Sequence, residues 1–187
     1  MTYFIDRYKK IKRGAQIMIP KDIGYIITAT GINKDSTVLD AGSGSGALAC
    51  YLASIAKKVI TYEIREDFIK IVKENKKKLG LKNLTVKKGD VFDKIKEKNI
   101  DVIILDLKDS YKAIDNVKKA LKKRGFLVVY NPQITQSQAF VNKVDEDFKY
   151  IKTIELIERP WKIQGKVVRP DFKGLGFTGF LSFFRKK

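Results

Sequence analysis

The sequence predicts an α/β domain: a mostly parallel sheet with helices on both faces and an antiparallel strand pair at its C-terminal end. Three observations predict it. Short apolar runs alternate with longer stretches whose apolar residues recur at helical spacing. One such run passes directly into three alternate glycines and then a helical pattern, between Val38 and Ala47. The tail carries two β-rich runs with no helical pattern between them.

Taken in order, Lys21–Thr30 reads as a helix entered through Pro20, which suits a first helical turn. Thr37–Ala41 is a short buried strand, Gly42–Gly46 the turn after it, and Gly46–Ala56 a helix with Ser45 as its N-cap. Val59–Glu63 is a second strand. Asp67–Leu79 is a lysine-rich amphipathic helix with Phe68, Ile71, Val72, Asn75 and Leu79 on one face, stopped by Gly80. Leu84–Lys88 and Asp101–Leu107 are the third and fourth strands, Ala113–Leu121 a helix, Gly125–Tyr130 the fifth strand and Ser137–Asp147 a helix. Ile151–Ile163 and Thr178–Arg185 close the chain as two long strands. The whole reads as one domain, with 1–31 a helical leading segment and 32–187 a Rossmann-like core.

Composition narrows the chemistry. With 44% apolar residues the chain can bury a sizeable core, yet it holds no apolar run long enough to span a membrane. The first twelve residues mix charges with aromatics and do not read as a signal peptide. One cysteine, Cys50, forms no internal disulfide, which fits a reducing cytoplasm. There is no histidine, so neither a zinc site nor a Ser-His or Cys-His nucleophile can be built, and no metal is expected. The formal net charge of +18 favours polyanions such as RNA. Its rival is a general lysine bias, since 32 of the 39 cations are lysine and they are spread along the chain.

The chemistry centres on Asp40-Ala41-Gly42-Ser43-Gly44-Ser45-Gly46-Ala47. Residues without Cβ allow a sharp turn and close backbone approach to a ligand, and a helix start offers N–H groups to an anion. Gly42-x-Gly44-x-x-Ala47 also satisfies a dinucleotide fingerprint, with Glu63 near the usual distance. Two features favour S-adenosylmethionine. The third glycine comes one place early, and Asp40 suits the positive amino group of methionine while repelling a pyrophosphate. Glu63, Asp90 and Asp106 then fall at successive strand ends, where they can accept ribose hydroxyls, accept the adenine amine and face the methyl donor. Taken singly, each reads better as a solvated acid or a helix cap; their repetition at successive strand ends is what lifts the reading.

Further motifs carry a resemblance. Arg13-Gly14-Ala15-Gln16-Ile17-Met18-Ile19-Pro20-Lys21-Asp22, Ala41–Leu48, Tyr62-Glu63-x-Arg65-x-Asp67-Phe68 and Leu105-Asp106-Leu107 resemble the tRNA T-loop adenine-N1 methyltransferases. So do Arg159-Pro160-Trp161, Val168-Arg169-Pro170-Asp171 and Phe177–Leu181 in the tail. The resemblance implies a seven-stranded sheet, a homo-oligomer (dimer or tetramer) and methyl transfer to N1 of a flipped-out adenine in RNA. Carried onto this chain, it implies Glu63 on the cofactor ribose, Asp90 on its adenine and Asp106 on the target base, with Gln16 beside the cofactor. The family's N-terminal β-rich domain has no counterpart, and Lys108-Asp109-Ser110-Tyr111 stands where the family has a Pro-containing stretch. Tyr111, Asn131 and Arg169 are the candidate substrate contacts, Tyr111 by stacking on a base. Trp161 reads as sheet or core packing ahead of base stacking. Lys76, Lys77 and Lys78 read as a solvated helix face, with RNA tracking the second reading. Two other functions stay open: a non-catalytic, RNA- or partner-binding paralogue, and a methyltransferase for a small molecule such as a corrinoid precursor.

Overall fold

A computed structural model describes residues 3–14, 16–171 and 176–187; Ala15 of the leading motif lies outside them. In chain order the elements are α1 (Phe4–Tyr8), α2 (Pro20–Thr30), β1 (Thr37–Ala41), α3 (Ala47–Ala53), β2 (Lys58–Glu63), α4 (Glu66–Leu79), β3 (Leu84–Lys88) and β4 (Ile100–Leu105). A 3-10 turn (Ser110–Ala113) follows, then α5 (Ile114–Ala120), β5 (Leu121–Asn131), α6 (Ile134–Lys143), β6 (Phe148–Glu155), β7 (Trp161–Gln164), β8 (Val167–Pro170) and β9 (Phe180–Lys186).

Seven strands form one sheet in the order β3-β2-β1-β4-β5-β9-β6, and β7 and β8 form a separate ribbon. The first five strands run parallel, with β9 antiparallel to both β5 and β6. Alternating side chains feed two cores. Val38, Val59, Val102, Ile104, Val128 and Phe183 pack with α2, α3 and α4, while Leu39, Ile60, Ile103, Leu105, Leu127 and Phe184 pack with α5 and α6. Both faces of the central strands are buried, which is why their sequences read as continuous apolar runs.

The expected strands and helices are present with shifted ends, except for the first of the two tail strands. Pro20 begins α2, and Gly31 and Gly80 close α2 and α4 with φ of 72° and 71°. α3 stops at Ala53, three residues early. Its N-cap is Gly46 at φ 76°; the Ser45 hydroxyl instead accepts the Gly14 N–H at 2.7 Å. β5 begins at Leu121 and carries a kink at Arg124, with φ 62°, before Gly125. α6 starts directly after Pro132-Gln133, three residues before the expected Ser137. The long strand expected over Ile151–Ile163 is broken. β6 ends at Glu155, and Pro160, which has no N–H to donate to a ladder, precedes β7. Trp161 therefore lies on the ribbon, 55% exposed, rather than in a core. α1 is unforeseen: Tyr8 buries its ring against Phe4 and Tyr51 and donates its hydroxyl to the Ala47 carbonyl at 3.2 Å.

Candidate active site

β1 and β4 are neighbours whose following helices leave to opposite faces, α3 to one core and α5 to the other. A crevice opens at such a divergence, outside the carboxyl ends of the strands. The loop 42–46 forms its edge. The Asp106 N–H donates to the Ala41 carbonyl at 2.9 Å, pinning the two strand ends together. Gly42, at φ 91°, presses its backbone so closely on Asp106 that a Cβ would lie 2.1 Å from the Asp106 carbonyl oxygen. Gly46 serves packing: a Cβ there would meet Val72 at 2.8 Å.

Glu63 braces this loop. One carboxylate oxygen accepts the Gly44 N–H at 3.0 Å, and the other accepts the N–H groups of Ile64 and Arg65 at 3.0 and 3.1 Å. The Gly42 and Ser43 N–H groups both donate to the Tyr62 carbonyl at 3.2 Å. Three loop amides thus face β2. The amides available to a ligand carboxylate are those at the start of α3, where a first turn has no intrahelical acceptors.

Two clefts meet at the end of β4. The first is lined by Gly42, Glu63, Ile64, Asp90, Phe92 and Leu107, among others. Two acids set among apolar walls match a nucleoside, whose base needs a slot and whose hydroxyls and amine need acceptors. Asp90 is fixed there by its own Asx turn, accepting the Phe92 N–H at 2.8 Å. The second cleft is lined by Gln16, Ile17, Met18, Asp106, Tyr130, Pro132 and Thr178. Asp106 and Leu107, adjacent in the chain, thus serve different clefts.

The electrostatics are unusual. Burial pushes the Asp106 carboxyl up to about 7, and the charge of Asp40 adds to the shift. Burial also pushes Asp40 up to about 7, against the Thr61 hydroxyl, which donates to its Oδ2 at 2.6 Å. Its Oδ1 accepts no hydrogen bond among the described residues. Such a pair of strained carboxyls favours a cation in the crevice. Tyr130 is raised to about 12, by burial and then by Asp106 and Asp22, so it stays a neutral donor; its hydroxyl donates to the Thr178 carbonyl. The Lys21 ammonium holds the far side of Thr178, donating to its hydroxyl at 2.7 Å, to the Leu156 carbonyl at 2.7 Å and to Asp22 at 2.8 Å.

Comparison with known proteins sets this geometry in a family. Residues 32–171 match the methyltransferase domain model. The tRNA (adenine(57)-N(1)/adenine(58)-N(1))-methyltransferase TrmI of Methanocaldococcus jannaschii is 40% identical, over 96% of this chain and 75% of its own length. The chain belongs to the tRNA adenine-N1 methyltransferase family. The structure of tRNA (m1A58) methyltransferase TrmI from Aquifex aeolicus superposes with a TM-score of 0.92 at 28% identity, covering all of this chain and 76% of that one. A structure from Thermotoga maritima, named as a SAM-dependent O-methyltransferase, gives 0.91 at 32% identity, over 99% of this chain and 71% of that one.

For this methyltransferase the sequence-predicted residues divide into three groups. Gly42, Glu63 and Asp90 line the first cleft, and Gln16 and Asp106 the second. The side chains of Asp40, Ser43, Ser45 and Ala47 are buried in or beneath the loop and line neither cleft, and Gly46 is buried with them. Gly44 keeps open space above its Cα. The substrate candidates fall elsewhere. Asn131 is 2% exposed and donates to the Ser137 hydroxyl at 3.2 Å, so its amide is committed to α6. Tyr111 packs against the α5–α6 core with the Lys143 ammonium 3.6 Å over its ring, which occupies the face a base would need. Arg169 sits on the β7–β8 ribbon, where a guanidinium nitrogen donates to the Pro170 carbonyl at 3.1 Å, outside the Asp106 cleft. Tyr130 and Thr178 escaped the sequence reading. Their only signal was position: Tyr130 closes the Gly125–Tyr130 run, one strand over from Asp106.

Proposed function

We propose that this enzyme transfers the methyl group of S-adenosylmethionine to N1 of an adenine in tRNA. The observation that carries the reading is the adjacency of Asp106 and Leu107, which opens a nucleoside-shaped cleft on one side of β4 and an acidic acceptor cleft on the other. The names and activities of the relatives point the same way.

The first cleft fits the cofactor. Glu63 accepts the ribose hydroxyls, Asp90 the adenine amine, and Ile64, Phe92 and Leu107 wall the base. The buried charge of Asp40 attracts the cationic end of the molecule from beneath. When bound, S-adenosylmethionine supplies an electrophilic methyl on a sulfonium. In the second cleft Asp106 accepts a hydrogen bond from the exocyclic amine of the target adenine. That bond orients the N1 lone pair and strengthens as positive charge develops on the ring, so it favours the transition state. Tyr130 and Met18 shape the wall, and Gln16 supplies a polar contact at the rim. No acid–base histidine is required, because N1 attacks without losing a proton first. A tRNA partner, a homo-oligomeric assembly and a cytoplasmic location belong to the same reading. No helix among the described residues is long and apolar enough to cross a membrane.

The test is direct. Purified protein is incubated with an unmodified tRNA transcript and methyl-labelled cofactor, and the RNA is digested to nucleosides. Label in 1-methyladenosine is the expected result; its absence across several tRNAs overturns the reading.

A further inference from the structure

Residues 7–14 run as a strap along α4 and then into the acceptor cleft. The Arg7 guanidinium reaches the Leu79 carbonyl at 3.4 Å, and the Lys78 ammonium the Lys10 carbonyl. Lys12 exchanges bonds with the Asn75 amide in both directions, at 2.8 and 2.9 Å, and Gly14 presses on Ile71. The path therefore descends α4 from Leu79 to Ile71, about 12 Å at 1.5 Å per helical residue. Beyond Ala15, Gln16 lines the cleft that holds Asp106.

The strap sorts its side chains. Tyr8 and Ile11 are buried, while Arg7, Lys9, Lys10, Lys12 and Arg13 are exposed, and no acid lies between Arg7 and Gly14. The adjoining face of α4 adds exposed Lys70, Lys73, Lys77 and Lys78. The α4 acids do not outweigh these cations: two lie at its start, and the one on this surface, Glu74, is neutralised by a strap lysine. Glu66 and Asp67 sit in its first turn, Glu66 paired to Lys88 at 2.8 Å, and Glu74 is paired to Lys12 at 3.0 Å. Anchors inward, cations outward and a course that ends at the catalytic acid are what a phosphate track requires.

We infer that the strap and the lysine face of α4 form the docking track for the phosphate backbone of the RNA substrate, delivering a splayed base to Asp106. The inference rests on the RNA reading proposed above and goes further by naming the surface. Lys77 and Lys78 thereby belong to an RNA-tracking face rather than one that is merely solvated.

The experiment compares two triple variants of the full chain with equal charge change. K9E/K10E/R13E alters the strap, and K57E/K58E/K123E alters exposed lysines near the opposite ends of the strands. The affinity for a tRNA transcript is measured from 50 to 300 mM salt, with cofactor affinity by calorimetry and melting temperature as controls for folding. A strap variant that melts early is replaced by K9Q/K10Q/R13Q. Loss of at least tenfold in RNA affinity is expected for the strap variant, with the slope of log K against log salt falling by about 2, as for three lost phosphate contacts on a single strand. Cofactor affinity stays unchanged, and the control variant loses less than threefold. Equal loss in both variants, or none in the strap variant, overturns the track. A wild-type protein that shows this strap-dependent binding yet methylates no RNA supports the track and removes the proposed reaction.

Discussion

The carbonyl oxygen of Asp106 occupies the space a side chain on Gly42 would need, 2.1 Å from where its first carbon would sit. The loop and the end of β4 are thus fitted backbone to backbone, and Gly42 also holds φ 91°. Gly42→Ala must push β4 away or unwind the loop. We expect loss of cofactor binding by calorimetry and a stability loss on the order of 2 kcal/mol or more in denaturant titration, from strain and steric displacement together. A variant binding cofactor like the wild type would show that the loop moves freely.

Asp106→Ala should keep cofactor affinity and lose on the order of a hundredfold in turnover, the usual effect of removing one positioned polar group. In the proposed reaction the carboxylate is the working form, and burial raises its pKa to about 7. Turnover should therefore climb as pH rises through about 7 and level off above it. A flat single-turnover profile between pH 6 and 8 would remove Asp106 from the role assigned to it.

Lys21→Met should be costly. It leaves Asp22, 1% exposed and with an Oδ2 that accepts no hydrogen bond among the described residues, as a buried charge, and frees Thr178. Breaking one partner of a buried pair costs about 3–5 kcal/mol. The double variant Lys21→Met/Asp22→Asn should recover part of that loss in chemical denaturation, and no recovery would mean the pair is not coupled.

Asp40→Asn tests the buried acid beneath the loop. In the cofactor-free fold its carboxyl is raised from about 4 to about 7, so the folded state prefers it protonated. Its favourable contribution is complete below about pH 4, drains away as pH rises to about 7, and is gone above that. The melting temperature of the variant should gain on the wild type between pH 5 and 8. A constant difference across that range would place Asp40 in a wetter site than the structure gives it.

Continuous apolar runs located the central strands because both faces of each are buried, and the glycine loop was legible because its spacing answers to steric necessity. Asp106 and Asp90 could be placed because each follows a recognisable strand. Tail and acceptor cleft were harder to read. The ribbon carrying Trp161 has an apolar, β-rich sequence like that of a sheet strand, and only Pro160 marks the break. Tyr130 reaches Thr178 across 48 residues, and Lys21 reaches it across 157, separations that no local pattern encodes. Asn131 carried a misleading signal: a polar residue at a strand end suggests a pocket, yet its amide turns to Ser137 on the following helix.

Asn75 bonds to the backbone of Lys12 and to the Ser45 carbonyl, stitching residues near the start of the chain onto a helix made some sixty residues later. The strap has no sheet of its own to join, so it has nowhere to settle until α4 and the glycine loop exist. Synthesis order and assembly order are therefore opposed: the strap is made before α4, yet it finds its place only after α4 has folded.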